Sequence, residues 1–234
     1  MTLSVSDLSI HHQSTRLFPP VSFSVGGGDV YTLMGPSGCG KSTLLAAIAG
    51  HLAPEFTMSG NILLHDRPVV SLPPNERKIG LLFQDDLLFP HLNILENLMF
   101  GLPKKYKGEK RREQAMQTLA SIDLQSLADH MPEQISGGQR ARVSLMRMLL
   151  SEPQAVLLDE PFNKLDKALR TEFRQLVFEQ IRAKNIPAIM VTHDRDDAPE
   201  DGVVLCWPWD AKETGDRSVT EPLTDINPHK ESEC

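Results

Sequence analysis

The sequence predicts an α/β fold: a buried parallel sheet, an antiparallel β portion ahead of it, and a helical insertion in the middle. Three observations carry this. The short continuous apolar runs Ala155-Val-Leu-Leu158 and Ala188-Ile-Met-Val191 have the length and composition of strands covered on both faces. The earlier segment Val21-Ser-Phe-Ser-Val25 alternates instead, as a strand covered on one face does. From residue 85 to 150 strand alternation disappears and helical texture replaces it.

Each element follows from its residues. Leu3, Val5, Leu8 and Ile10 mark an irregular first strand. Gly26-Gly27-Gly28-Asp29 is a turn, and Val30-Tyr-Thr-Leu-Met34 is a strand running straight into Gly35. A helix begins near Lys41, carries Leu44, Leu45, Ile48 and Ala49 on its apolar side, and is closed by Gly50 and Pro54. Asn61-Ile-Leu-Leu64 and Ile79-Gly-Leu-Leu-Phe83 are further strands. The helical stretch breaks at Pro103 and Pro132, and its basic run from Lys104 to Arg112 reads as a solvated loop entering a helix. A helix from about Lys167 to Lys184 and a last strand, Val203-Val-Leu-Cys206, complete the pattern. The expected organisation is one domain over residues 1–209, with a helical subdomain at about 85–150, and a polar, flexible tail over 210–234.

Composition narrows the function classes. The 234 residues carry a formal net charge of −7, whereas a nucleic-acid binder usually has a basic excess. No window approaches the ~18–20 apolar residues that cross a bilayer. The N-terminus lacks the positive start and long apolar run of a signal peptide. Cys39, Cys206 and Cys234 have no metal-ligand spacing, and fit a reduced compartment.

The chemistry concentrates in four places. Gly35-Pro36-Ser37-Gly38-Cys39-Gly40-Lys41-Ser42-Thr43 fits G-x-x-x-x-G-K-[ST], with a strand entering and a helix leaving. Small residues let backbone N–H groups turn around phosphate oxygens, and the helix start adds partial positive charge. Lys41 is then placed for the β- and γ-phosphates and Ser42 for Mg²⁺. A Gly-rich turn can also merely join strand to helix; the Lys-Ser pair and both flanks favour phosphate. Cys39 is either a thiol activated by the helix start or a small filler. Asp159-Glu160 ends a buried strand, where an open α/β sheet places its ligands: Asp159 to support Mg²⁺, Glu160 to orient or deprotonate water. His193 ends the neighbouring strand, at the same sheet edge, and can donate to a γ-phosphate. Finally, Ser136 can cap a helix starting near Gly138, and Gly137-Gly138 allow close backbone approach, although an ordinary Ser-capped helix explains these three residues equally well.

Taken together, these segments resemble the ATP-binding-cassette (ABC) ATPases over about residues 1–206. Ile135-Ser136-Gly137-Gly138-Gln139 resembles the family's signature sequence. Around it, residues 35–43 match Walker A, Gln84 the Q-loop, and 155–160 Walker B with its catalytic Glu. Asn163-Lys164-Leu165-Asp166 matches the D-loop and His193 the switch histidine, all in family order. The resemblance implies a P-loop NTPase core of the ABC ATPase type, with an antiparallel β subdomain and an inserted α-helical subdomain. It implies ATP as ligand, with Mg²⁺ held by Ser42, Asp159 and Gln84. It also implies a head-to-tail homodimer that sandwiches ATP. In that dimer Ser136 and Gly138, with Gly137 and Gln139 in the same loop, contact the γ-phosphate on the opposite subunit, and Asp166 passes the state between sites.

Some positions depart from the family pattern. His12 stands where an aromatic residue usually stacks on adenine. The D-loop usually reads Ser-Ala-Leu-Asp, so Lys164 is an unexpected charge. Leu87-Leu88-Phe89-Pro90-His91-Leu92, following Gln84, resembles the importer branch and is similar to the YnjD-like group; in cassettes this region grips a helix of the membrane subunit. The implied partners are integral membrane permease subunits, with or without a solute-binding protein, and the implied location is the cytoplasmic face of the membrane. An exporter subunit and a soluble non-transport ABC protein remain the alternatives.

Overall fold

The computed structural model describes residues 1–207; the tail expected over 210–234 lies outside the described residues. The strands in chain order are β1 (Thr2–His12), β2 (Thr15–Arg16), β3 (Val21–Gly26), β4 (Val30–Met34) and β5 (Phe56–Leu64). They continue as β6 (Arg67–Pro68), β7 (Ile79–Leu82), β8 (Ala155–Asp159), β9 (Ala188–Thr192) and β10 (Val203–Cys206). The helices are α1 (Lys41–Ala49), α2 (Pro74–Arg77), α3 (Ile94–Gly101), α4 (Gly108–Ala120), α5 (Gly137–Leu150) and α6 (Lys167–Lys184).

Alternation and continuity of apolar residues sort the strands into two sheets. The alternating β3 pairs antiparallel with β1, which also pairs antiparallel with β2 and β5, and β6 lies against β5. The irregularity expected in β1 is a bulge: the register shifts around Ser6–Leu8, with Asp7 at φ 50°. Opposite it, Gly60 has φ 106°, and a Cβ there would stand 2.5 Å from the Asp7 carbonyl oxygen. That glycine and the outward polar residues Thr57 and Ser59 hide the first half of β5, which starts at Phe56 rather than Asn61.

The continuous apolar strands form the second sheet, in the order β10-β4-β9-β8-β7, all parallel. Their continuity has a direct cause in packing. Ala155, Leu157, Ile189 and Val191 pack with α1 and the antiparallel sheet. Val156, Leu158, Ala188 and Met190 pack instead with residues of α3, α4, α5 and α6. Both faces are covered, so the strands are apolar almost throughout, with the buried hydroxyls of Thr32 and Thr192 as exceptions. Parallel pairing brings the ends of β4, β8 and β9 to one edge, with Met34 opposite Thr192 and Asp159 opposite Val191. The last strand, β10, pairs only with β4 among the described strands and is partly exposed, an edge strand.

The loop-and-helix reading of the basic run holds, with α4 starting at Gly108, yet two arginines do structural work. Within the run, Arg111 donates to the carbonyls of Met99, Leu102, Pro103 and Tyr106, closing the end of α3. Arg77, on the short α2, is 5% exposed and donates to the carbonyls of Ala47, Ile48, Val70 and Leu72. It thereby adds donors to the last turn of α1, where the Ala47 carbonyl also accepts from the Gly50 N–H at 3.2 Å.

Candidate functional site

The strand β4 delivers the chain into the loop 35–40, and α1 begins at Lys41. Gly40 is the cap residue, at φ 99°, and no side chain caps the helix. An L-residue is strained there, and a Cβ would meet the Phe18 ring at 3.1 Å. Lys41 is 5% exposed; its Nζ donates to the carbonyls of Gly35 (2.7 Å) and Pro36 (3.0 Å). It stands 3.7 Å from Glu160 Oε1. Ser42 Oγ donates to Asp159 Oδ1 at 3.0 Å. Burial pushes the Cys39 thiol up, outweighing the lowering by Lys41, and its Sγ fills the space beside Gly35, 2.9 Å from where a Cβ would stand.

Asp159 ends β8 and Glu160 turns away from it, with φ 45° and its N–H donating to the Val191 carbonyl at 3.0 Å. Burial pushes the Asp159 carboxyl up; the Ser42 hydrogen bond and Lys41 offset this in part, while Glu160 adds to it. Glu160 Oε2 accepts a short hydrogen bond from Asn163 Nδ2 and lies 3.5 Å from His193 Nδ1. The exposed His193 sits on a braced turn. Asp194 N–H donates to Thr192 Oγ1 at 3.1 Å, and Thr192 Oγ1 donates to Asp197 Oδ2 at 2.7 Å. From α6, Arg170 donates to Asp197 and Asp194, each at 2.7 Å.

The structure thus brings together Lys41, Ser42, Asp159, Glu160 and His193. No hydrogen bond or ion pair among the described residues joins the segment 136–139 to 35–43. Ser136 caps α5, accepting from Gln139 N–H at 3.3 Å, and its own N–H donates to Gln139 Oε1 at 2.8 Å. Gly137 is exposed, whereas Gly138 is buried, its missing side chain leaving room for Leu169 of α6. Asp166 caps α6 by accepting from the N–H groups of Ala168 and Leu169. Gln84 is exposed and lines a cavity of about 280 Å³ with Asp85, Gly137, Arg140 and Lys164. His12 is exposed at the end of β1, its ring centroid 5.1 Å from that of Phe56.

The donor set at the sheet edge has a clear chemical character. An uncapped helix start and a buried ammonium suit a phosphate chain. The Ser42 hydroxyl and the Asp159 carboxylate are hard oxygen donors, suited to Mg²⁺ that shares its remaining ligands with phosphate and water. No group of three or more His, Cys, Asp or Glu that could hold a metal ion forms among the described residues. Sequence reasoning missed Asn163 and the Arg170–Asp197 brace. Asn163 carried a signal, since it departs from the Ser usual at that place; the brace joins residues 27 apart and carried none.

Residues 18–163 match the family described as ABC transporter. The chain is 47% identical over 203 residues to the uncharacterized ABC transporter ATP-binding protein YnjD of Escherichia coli, covering 87% of this chain and 94% of that protein. It is 38% identical over 205 residues to the sulfate/thiosulfate import ATP-binding protein CysA of Pseudomonas aeruginosa, covering 86% of this chain and 61% of CysA. It is 39% identical over 201 residues to the Fe(3+) ions import ATP-binding protein FbpC of Haemophilus influenzae, covering 84% of this chain and 56% of FbpC. No helix among the described residues is long and apolar enough to cross a membrane.

Proposed function

The chain belongs to the ABC transporter family, as an ATP-binding subunit and an ATPase, and from that premise we propose that it powers a membrane importer through ATP-dependent head-to-tail dimerisation. The observation that carries the proposal is the convergence of Lys41, Ser42, Asp159, Glu160 and His193 at one sheet edge, while Ser136 and Gln139 bond to each other and not to residues 35–43. A second copy supplying its own Ser136–Gln139 would complete each site, an isologous arrangement. Import rests on the likeness to two import ATP-binding proteins, each of which this chain spans in part.

In this proposal Lys41 exchanges the carbonyls of Gly35 and Pro36 for the β- and γ-phosphates. Ser42 and Asp159 hold Mg²⁺, which supplies charge neutralisation on the phosphates when bound. Glu160 orients and deprotonates the attacking water, and His193, within reach of Glu160, donates to the γ-phosphate. Gln84, from the wall of its cavity, contacts Mg²⁺ and the same water, and Asp166 carries the state across the dimer seam. His12, with Phe56 beside it, offers the adenine a smaller stacking face than Tyr or Trp. The partners are permease subunits, with or without a solute-binding protein, at the cytoplasmic face of the membrane.

The test is an affinity pull-down of the Glu160→Gln variant from detergent-solubilised host membranes with Mg-ATP, read by mass spectrometry. A co-purifying permease is expected; a soluble partner, or only the protein's own dimer, would overturn the transport assignment. Light scattering of the same variant is expected to report an ATP-dependent dimer. Wild-type turnover with no concentration-dependent dimer would remove Glu160 from its role.

A further inference from the structure

Two adjacent residues, both departing from the usual D-loop pattern, make contacts with Glu160 itself and with the chain neighbour of Gln84. Asn163 Nδ2 donates to Glu160 Oε2, and Lys164 Nζ pairs with Asp85 Oδ1, the residue directly after Gln84. We propose that Asn163 and Lys164 are positioning residues for hydrolysis: a two-armed brace that fixes the Glu160 carboxylate with one arm and the Gln84 loop with the other. The inference rests on the assignment of Glu160 and Gln84 above.

The geometry supports each arm. Glu160 sits at φ 45° at the end of β8, and the turn that follows returns Asn163 N–H to the Glu160 carbonyl at 3.4 Å. The turn therefore presents the Asn163 amide to the same residue's carboxylate. Oε2 is taken by Asn163 with His193 at 3.5 Å, while Oε1 faces Lys41 at 3.7 Å. Such a carboxylate is oriented before any nucleotide arrives, which is what a general base needs. The second arm joins two residues that line the same cavity as Gln84 and Pro161. Asp85 and Lys164 are 64% and 55% exposed, so their pairing adds little to stability. Its effect is on where the Gln84 loop rests. The next residue, Asp86, is itself fixed to α5 through Arg140 at 2.8 Å and through Ser144, which donates to its carbonyl at 2.7 Å. The Gln84 loop is thus held on one side by α5 and on the other by the turn that carries Glu160. Serine at 163 would shorten the first arm, and alanine at 164 would delete the second.

The experiment uses the full chain with Mg-ATP and reads kcat, KM, ATP affinity and thermal midpoint. Asn163→Leu keeps the side chain's size and removes its donor. It is expected to lower kcat roughly 10–100-fold, the scale of a misplaced reacting group, with KM and ATP affinity unchanged. Asn163→Ser, which keeps a donor, is expected to recover part of that loss. Lys164→Asp is expected to lower kcat roughly 2–5-fold, in keeping with an exposed ion pair. Combining it with Asp85→Lys should restore kcat to near wild type. If Asn163→Leu turns over like wild type, or if the lost kcat tracks the thermal midpoint across the variants, the first arm is wrong. A charge swap no better than either single change removes the second arm. The Glu160→Gln variant measured alongside separates the failures: wild-type turnover there would sink the assignment of Glu160 itself.

Discussion

The starts of α1 and α5 look alike in sequence, small residues before a helix, but their backbone amides are satisfied differently. At α5 Ser136 and Gln139 satisfy one another in a closed capping box. At α1 the cap residue is Gly40, with no side chain to offer, so the first N–H groups keep their capacity for a ligand. Their surroundings differ as well. The α1 start is walled by the ends of buried strands and holds a buried ammonium; the α5 start belongs to the helical insertion, with Ser136 and Gly137 exposed. The capping box uses only the Ser136 and Gln139 N–H groups, so the Gly137 and Gly138 N–H groups of this start stay outside it, which suits an anion that arrives on another molecule. An unsatisfied, walled start suits an anion that resides.

The largest expected effect tests that division of labour. Lys41→Ala should weaken ATP binding by the monomer roughly 10–100-fold, because hydrogen bonds to a charged group are worth about 1.5–3 kcal/mol each. Ser136→Arg should abolish hydrolysis while leaving monomer binding largely intact. Isothermal titration and phosphate release separate the two. Equal loss of binding in both variants would place the two helix starts in one site and break the comparison.

Alanine at the glycines sharpens it, with opposite signs. Gly40→Ala forces a Cβ into the left-handed region against Phe18, and is expected to cost about 1–3 kcal/mol of stability. Gly137→Ala meets only Arg140, at 3.8 Å, and should gain up to about 1 kcal/mol from helix propensity. Urea denaturation measures both; a loss at Gly137 as large as that at Gly40 would deny the openness of the α5 start. Ser136→Ala, which opens the capping box, should cost about 1 kcal/mol by the same measurement.

Much of this contrast was legible in the sequence, and the illegible part has a physical cause. The runs at 155–158 and 188–191 declared themselves because both faces of their sheet are covered, and Ser136 declared its helix because caps are local. The helix over Lys167–Lys184 was likewise visible. The two-residue strands β2 and β6 show no period, and α2 is four residues long. Neither Arg77 nor Arg170 could be assigned its task, since each serves carbonyls or carboxylates brought near only by the tertiary fold. Within the site, the residue types at 35–43, 159–160 and 193 were readable as chemistry. What holds Glu160 was not, because Asn163 acts through a turn whose geometry depends on β8 and β9 being paired.

The smallest effect concerns Asp159 and the α1 start alone. Burial pushes its carboxyl above the ordinary value, so it is protonated more readily in the folded than in the unfolded chain. The sign follows from linkage: where the folded pKa is raised, stability falls as pH rises from the unfolded value, about 3.9, through the folded one. Asn at this position keeps an acceptor for Ser42 and carries no charge. Asp159→Asn should therefore match wild type near the acid end of that window and exceed it in thermal midpoint at neutral pH. Mg-ATP should reverse the order, since the cation is held by the carboxylate and not by the amide. A variant less stable than wild type at neutral pH without Mg²⁺ would mean that Lys41 and Ser42 already compensate the buried charge. The α1 start would then be a finished ion pair rather than an unfinished site.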